Sequence, residues 1–104
     1  MQWKSGIAIA AMLSFAAVTG ATAATVKVTI KGFKFSPAAV TAHIGDTIEW
    51  TNNDPMAHTS TAKTGDWDLS LPAGKSSSVV LKKAGAFDYF CKIHPSMTGK
   101  VTVE

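Results

Sequence analysis

The chain has 104 residues, with ten lysines, no arginine, seven acidic residues and one cysteine, and its formal net charge is +3. This weak and scattered positive charge, without an arginine for bidentate phosphate binding, excludes a nucleic-acid-binding protein. The single cysteine excludes a disulfide within the chain. Small domains without disulfides often use a bound metal to stabilise their fold, so the composition directs attention to metal ligands.

The first 23 residues are typical of a cleaved secretory signal peptide. Lys4 gives a positive start, residues 7–18 are almost entirely apolar, and Ala21-Thr22-Ala23 has the small-residue pattern of a signal-peptidase site. A retained membrane anchor is the alternative, since no charged residue lies between Lys4 and Lys27. The strongly apolar run is only about a dozen residues, however, whereas a spanning helix needs about 20. We therefore predict cleavage near Ala23, export to the periplasm and no stable membrane insertion afterwards.

Residues 24–104 are predicted to form a single all-β domain. Apolar and polar residues alternate in short segments, and turns that contain glycine, proline, asparagine or aspartate separate them. The segments that predict strands are 26–31, 47–51, 67–71, 78–81, 87–91 and 101–103, together with a short strand that ends near His43. No segment carries helical periodicity beyond a single turn. We therefore predict a small antiparallel or mixed β-sandwich of seven or eight strands.

The segment YFCKIHPSM, residues 89–97, contains the candidate metal ligands. Cys91, His94 and Met97 follow one another at intervals of three, at the end of a predicted strand and in the loop after it. Pro95 excludes the interior of a helix, because its ring clashes with the preceding turn and it has no amide hydrogen. A tight loop can instead direct thiolate, imidazole and thioether to one point. This soft donor set favours copper, since zinc takes cysteine and histidine but rarely a thioether.

Two histidines elsewhere in the chain are candidates for a fourth ligand. His43 lies on the short strand before a turn and is interpreted as solvent-facing. His58 lies in a turn-rich loop directly after the strand that contains Trp50, and loops held by a rigid sheet commonly supply ligands. We therefore predict that His58 is the fourth ligand. Met56, two residues before it, is interpreted as a packing residue.

The combination of His58 with Cys91-x-x-His94-x-x-Met97, GDTIEW upstream and GKVTV downstream, resembles the type 1 blue-copper proteins, or cupredoxins. Within that family, the short ligand spacing and the His94-Pro95 step are most similar to the amicyanins. The resemblance implies a Greek-key cupredoxin-like barrel that binds one type 1 copper ion. It also implies that His58, Cys91 and His94 are the equatorial ligands and that Met97 is the axial ligand.

Two positions depart from the pattern of the amicyanins. Ser96 stands where these proteins have a bulky aromatic residue, and Thr59 follows the first histidine where asparagine is common. Thr59 would therefore have to supply the hydrogen bond that connects its loop to the cysteine loop.

The resemblance implies a monomeric one-electron carrier that cycles between copper(II) and copper(I), and not an enzyme. The partners that it implies are an amine-oxidising dehydrogenase as electron donor and a c-type cytochrome as acceptor. A copper carrier or storage protein is the alternative, and such a protein would hold colourless copper(I). A third interpretation, a thiol enzyme that uses Cys91 and a histidine, would require a cleft for which about 80 residues leave little room.

Overall fold

The computed structural model describes residues 22–104, so the predicted leader lies outside the described residues except for Thr22 and Ala23, which are exposed and irregular. Nine strands occur in this part of the chain. They are β1 (Thr25–Ile30), β2 (Phe35–Ser36), β3 (Ala39–Ala42), β4 (Thr47–Asn52), β5 (His58–Ala62), β6 (Asp68–Leu71), β7 (Ser76–Val80), β8 (Gly85–Phe90) and β9 (Thr98–Val103). Within residues 22–104, no helix has the length and apolar character needed to cross a membrane.

The strands form two sheets that enclose one core. The four-stranded sheet has the order β2-β1-β4-β7, and the five-stranded sheet has the order β3-β9-β8-β5-β6. Strand β1 is parallel to β4 and β3 is parallel to β9, while the other pairs are antiparallel. This mixed β-sandwich confirms the predicted all-β class. The described residues contain nine strands where seven or eight were predicted, and one of the nine, β2, has only two residues.

The alternation of side chains along β4 and β8 fills the space between the sheets. Trp50 on β4 is fully buried, and Phe87 and Tyr89 on β8 are buried on one face together with Cys91, which directly follows the strand. Trp50 and Tyr89 pack edge to face across the sandwich, with ring centroids 5.3 Å apart. The period of two along β8 therefore brings Cys91 to the end of the strand with its side chain already directed inward.

His43 lies one residue beyond the end of β3, in the turn that leads to β4, and not on the short strand where it was predicted. Its side chain is 72% exposed. The interpretation of His43 as a solvent-facing residue is therefore confirmed.

Gly99 on β9 permits a close approach of the Tyr89 ring. The two residues are paired across β8 and β9, and a Cβ atom at Gly99 would overlap the ring. The ring is also packed edge to face against Phe35 and Trp50, so it has little room to move aside. Gly99 thus helps to fix the position of Tyr89 on β8, two residues before Cys91.

We expect Gly99→Ala to lower the free energy of unfolding by about 1–3 kcal/mol, the usual cost of overpacking a core. Denaturant unfolding measures this loss. Thr98→Ala, at an exposed position on the same strand, is the matched control and should cost less than about 0.5 kcal/mol. Equal costs for the two variants would show that the contact between Gly99 and Tyr89 does not constrain the core.

Candidate metal centre

Three of the four predicted ligands meet at one end of the sandwich. His58 is the first residue of β5, Cys91 directly follows β8, and His94 lies in the loop between β8 and β9. One donor atom from each residue lies within 4.8 Å of the others. His58 and Cys91 are buried, whereas His94 is partly exposed. Three side chains from two separate parts of the chain can therefore bind a single ion just below the surface.

The hydrogen bonding of the two rings leaves their inner nitrogens available to a metal. His58 Nδ1 lies 3.8 Å from Cys91 Sγ, while its Nε2 lies 2.9 Å from a carboxylate oxygen of Asp54. His94 Nδ1 is buried and has no hydrogen-bond partner among the described residues. A buried polar atom without a partner costs free energy, which a bound metal would recover. One thiolate and two imidazoles fit a soft transition metal.

Met97 lies in the same loop as Cys91 and His94 and is only 4% exposed. The Met97 N–H donates to the carbonyl oxygen of His94 at 2.9 Å, and the Cys91 N–H donates to the carbonyl oxygen of Met97 at 3.1 Å. These bonds close the tight loop that the sequence predicts. Met97 is thus held in one loop with Cys91 and His94. With His58, these residues supply the donor types of a type 1 copper ion, which are two histidines, a cysteine and a long axial methionine.

Thr59 connects the His58 strand to the cysteine loop through two hydrogen bonds. Its N–H donates to Cys91 Sγ at 3.3 Å, which restrains the position of the sulfur. Its hydroxyl oxygen accepts the N–H of Lys92 at 2.8 Å. The second bond is the connection that was required of Thr59 in place of the usual asparagine. Thr59 is 8% exposed, and its bond to the sulfur is buried while its bond to Lys92 is partly buried.

Asp54 holds the outer nitrogen of His58, although its sequence context indicates only a turn. Asp54 Oδ2 accepts hydrogen bonds from His58 Nε2 and from the Phe33 N–H, both at 2.9 Å. Its Oδ1 accepts the Gly32 N–H at 2.7 Å. A carboxylate on the outer nitrogen fixes the orientation and tautomer of a metal-binding histidine. The only signal in the sequence is that Asp54 lies four residues before His58.

The Asp54 carboxylate is ionised at neutral pH. Burial disfavours the ionised form, but the N–H groups of Phe33 and Gly32 and the ring of His58 together outweigh it and hold the pKa of Asp54 below its ordinary value. Because the folded pKa is depressed, the stabilisation is present above the unfolded pKa of about 3.9 and is lost as the pH falls through the lower folded value.

Phe33 covers both histidines from the turn between β1 and β2. Its ring is edge to face with the ring of His94 at a centroid distance of 4.6 Å and with that of His58 at 5.1 Å. Gly32 and Phe33 both have a φ of 62°, which makes a tight hairpin turn that is unfavourable for a phenylalanine. Asp54 accepts the N–H groups of both residues and so stabilises this turn. The exposed side of the site thus has an aromatic ring, although Ser96 does not supply one.

The sandwich and its donor set define the class of protein. The chain belongs to the cupredoxin-like domain family, whose model matches residues 5–103. Amicyanin-alpha of Methylorubrum extorquens is 35% identical over 94 residues, which cover 85% of this chain and 79% of that protein. Amicyanin of Paracoccus versutus is 34% identical over 85 residues, which cover 76% of this chain and 64% of that protein. The crystal structure of P. versutus amicyanin superposes with a TM-score of 0.68 at 33% identity, over 85% of this chain and 87% of that one. The chain is therefore a cupredoxin that resembles amicyanin.

We expect Asp54→Asn to weaken copper binding by about 10–100-fold, the usual effect of removing a partner that orients a metal ligand. An amide has one acceptor oxygen where the carboxylate has two, so the bonds to His58, Phe33 and Gly32 cannot all persist. Copper affinity is measured by competition with a chelator, and the visible spectrum reports on the geometry. Asp88→Asn, which changes an exposed carboxylate on β8, should leave both unchanged. Wild-type affinity and spectrum in Asp54→Asn would contradict the orienting role.

Proposed function

We propose that this protein is an exported one-electron carrier in which His58, Cys91 and His94 are the equatorial copper ligands and Met97 is the axial ligand. The observation that supports the proposal most strongly is the convergence of the three donor atoms within 4.8 Å. The unpartnered nitrogen of His94 supports it as well. When copper is bound, it supplies a reversible couple between copper(II) and copper(I).

The contribution of the chain is to hold the ligands in one arrangement. The bonds of Thr59 to Cys91 and Lys92 restrain the sulfur, and the carboxylate of Asp54 restrains the ring of His58. Ligands that are restrained on their outer side move little when the charge at the site changes. A site of this kind suits electron transfer, which is fast when little rearrangement accompanies it.

The partly exposed His94 is the proposed route for electrons to and from the surface. Three large apolar side chains at this end are exposed, namely Phe33 at 41%, Met56 at 48% and Ile93 at 53%. An exposed apolar patch around a ligand suits weak and transient docking of a redox partner. Resemblance to the amicyanins supports an amine-oxidising dehydrogenase as donor and a c-type cytochrome as acceptor.

The burial of Cys91 favours a carrier over a thiol enzyme. Cys91 is 0% exposed, so its sulfur has no access to a substrate from solvent. A nucleophilic thiol needs such access together with an activating base. The proposed carrier consists of residues 24–104, works as a monomer in the periplasm and is released by cleavage of the leader 1–23.

We expect Cys91→Ser to abolish the intense blue absorption of the copper(II) protein. The absorption of such a site arises from charge transfer between a thiolate and copper(II), and the serine oxygen cannot replace the sulfur. Visible spectra after addition of copper(II) test this, with Ser96→Ala, in the same loop, as the control that should stay blue. A wild-type protein that stays colourless in copper(II) and holds only copper(I) would instead support a copper carrier or storage protein.

We expect Met97→Leu to raise the reduction potential, because loss of the axial sulfur removes a donor to copper(II). The exchange conserves volume, so the free energy of unfolding should change by less than about 1.5 kcal/mol. Voltammetry and denaturant unfolding of the same variant separate ligation from packing. The control is Met56→Leu, an exposed position near the same site, which should change neither quantity. An unchanged potential in Met97→Leu would make Met97 a packing residue.

A further inference from the structure

Asp46 joins three segments at the end of the sandwich opposite the metal centre. Strand β4 begins directly after Asp46 and runs away from it toward the His58 loop. The carboxylate accepts the N–H of Ala24 at Oδ1 and the N–H of His43 at Oδ2, both at 2.9 Å. The carbonyl oxygen of Asp46 accepts the N–H of Leu81 at 2.8 Å. The side chain is 9% exposed, so a single acidic group holds this corner with little contact with water.

Ala24, the partner of Asp46, is the residue that would follow a cut after Ala23. Its N–H donates to Asp46, and its carbonyl oxygen accepts the N–H of Thr47 at 2.9 Å. Both backbone polar groups of Ala24 are therefore hydrogen-bonded. Thr22 and Ala23 before it are exposed and irregular. Cleavage would therefore leave the nitrogen of Ala24 in place. The same cleavage would convert an amide with one N–H into a positively charged ammonium group with three.

We propose that the α-ammonium group of Ala24, once released by removal of the leader, forms an ion pair with Asp46 and makes the processed protein more stable than the unprocessed one. The proposal rests on the proposed cleavage near Ala23. Hydrogen bonds between two ionised groups are about twice as strong as those between neutral groups. The N–H groups of Ala24 and His43 already hold the pKa of Asp46 below its ordinary value, so the carboxylate is an anion at neutral pH.

Two other ionisable side chains lie at this corner. His43 Nδ1 is 3.8 Å from Asp46 Oδ2, and His43 Nε2 is 3.8 Å from Glu104 Oε1. A protonated His43 would share the negative charge of Asp46, so pH experiments need a background without this histidine. His43→Gln supplies that background, since His43 is largely exposed and removal of its ring leaves the core unchanged.

The ion pair between Ala24 and Asp46 stabilises the fold only within a defined range of pH. Pairing with a carboxylate raises the pKa of the folded α-ammonium group above its ordinary value of about 8. Its stabilisation is therefore fully present below about pH 8 and is lost as the pH rises through the raised value. At the acidic side it is lost as Asp46 becomes protonated, below about pH 4.

The experiment compares copper-loaded chains that begin at Ala24 or at Thr22, all in the His43→Gln background. Both contain the nine strands of the described structure, but in the longer chain Ala24 keeps an amide and the terminal charge lies two residues away. At pH 7 the chain that begins at Ala24 should melt about 3–6 °C higher. The difference should disappear above about pH 10, where the ammonium group is deprotonated. It should also disappear when Asp46→Asn is introduced into both chains.

Further measurements cover the case in which Asp46→Asn fails to fold. Acetylation of the Ala24 amino group keeps an N–H and removes the charge, so it should abolish the gain. The pKa of this amine, measured by NMR titration of the folded chain that begins at Ala24, should lie above its ordinary value of about 8. Equal melting temperatures for the two starts, or an ordinary amine pKa beside Asp46, would overturn the ion pair. The mass of the exported protein tests cleavage separately, because a different start would contradict the proposed processing and leave the result for the Ala24 chain intact.

Discussion

The metal centre depends on the hydrogen bonds between Thr59 and the cysteine loop, because the pairing of β5 with β8 ends before it reaches the ligands. Strands β5 and β8 are paired only at Thr61 with Phe90 and at Ala62 with Tyr89. Beyond these pairs the two chains separate, and the space between them is where the donor atoms converge. The N–H and the hydroxyl of Thr59 cross this gap to Cys91 and Lys92. The site therefore lies where β5 and β8 separate, and the hydrogen bonds of Thr59 fix the distance between them.

The parts of the fold and site that could be predicted from the sequence are those with a local physical cause. The alternation in β4 and β8 follows from the period of a strand, and it places Trp50, Tyr89 and Cys91 inside without any knowledge of the partner strands. The spacing of Cys91, His94 and Met97 lies within one short loop, so a tight turn is enough to bring them together. His58 required one more step, which was the tendency of ligands to lie in loops between rigid strands. The structure places it at the end of that loop, as the first residue of β5.

The residues that could not be predicted act through contacts between distant segments. Asp54 reaches His58 within its own loop, but its other two bonds go to residues 21 and 22 positions away in the turn between β1 and β2. The role of Phe33 depends on a positive φ that phenylalanine rarely adopts, so the sequence gives no indication of the turn. The distance between Ala24 and Asp46 is likewise a result of the parallel register of β1 and β4. The order of apolar and polar residues along one strand does not specify its register with another strand.

The interior position of β9 in the five-stranded sheet has a consequence for when the binding site forms. This strand lies between β3 and β8, and it pairs residues 39–42 with residues 100–103. The five-stranded sheet is therefore incomplete until nearly the whole chain has been synthesised, and such long-range pairing is slow to form. Until β9 pairs with β8, the loop that carries His94 and Met97 is anchored only at its β8 end, so the candidate ligands come together late. The site can therefore hold a metal only after the chain is complete and its last strand has joined the sheet.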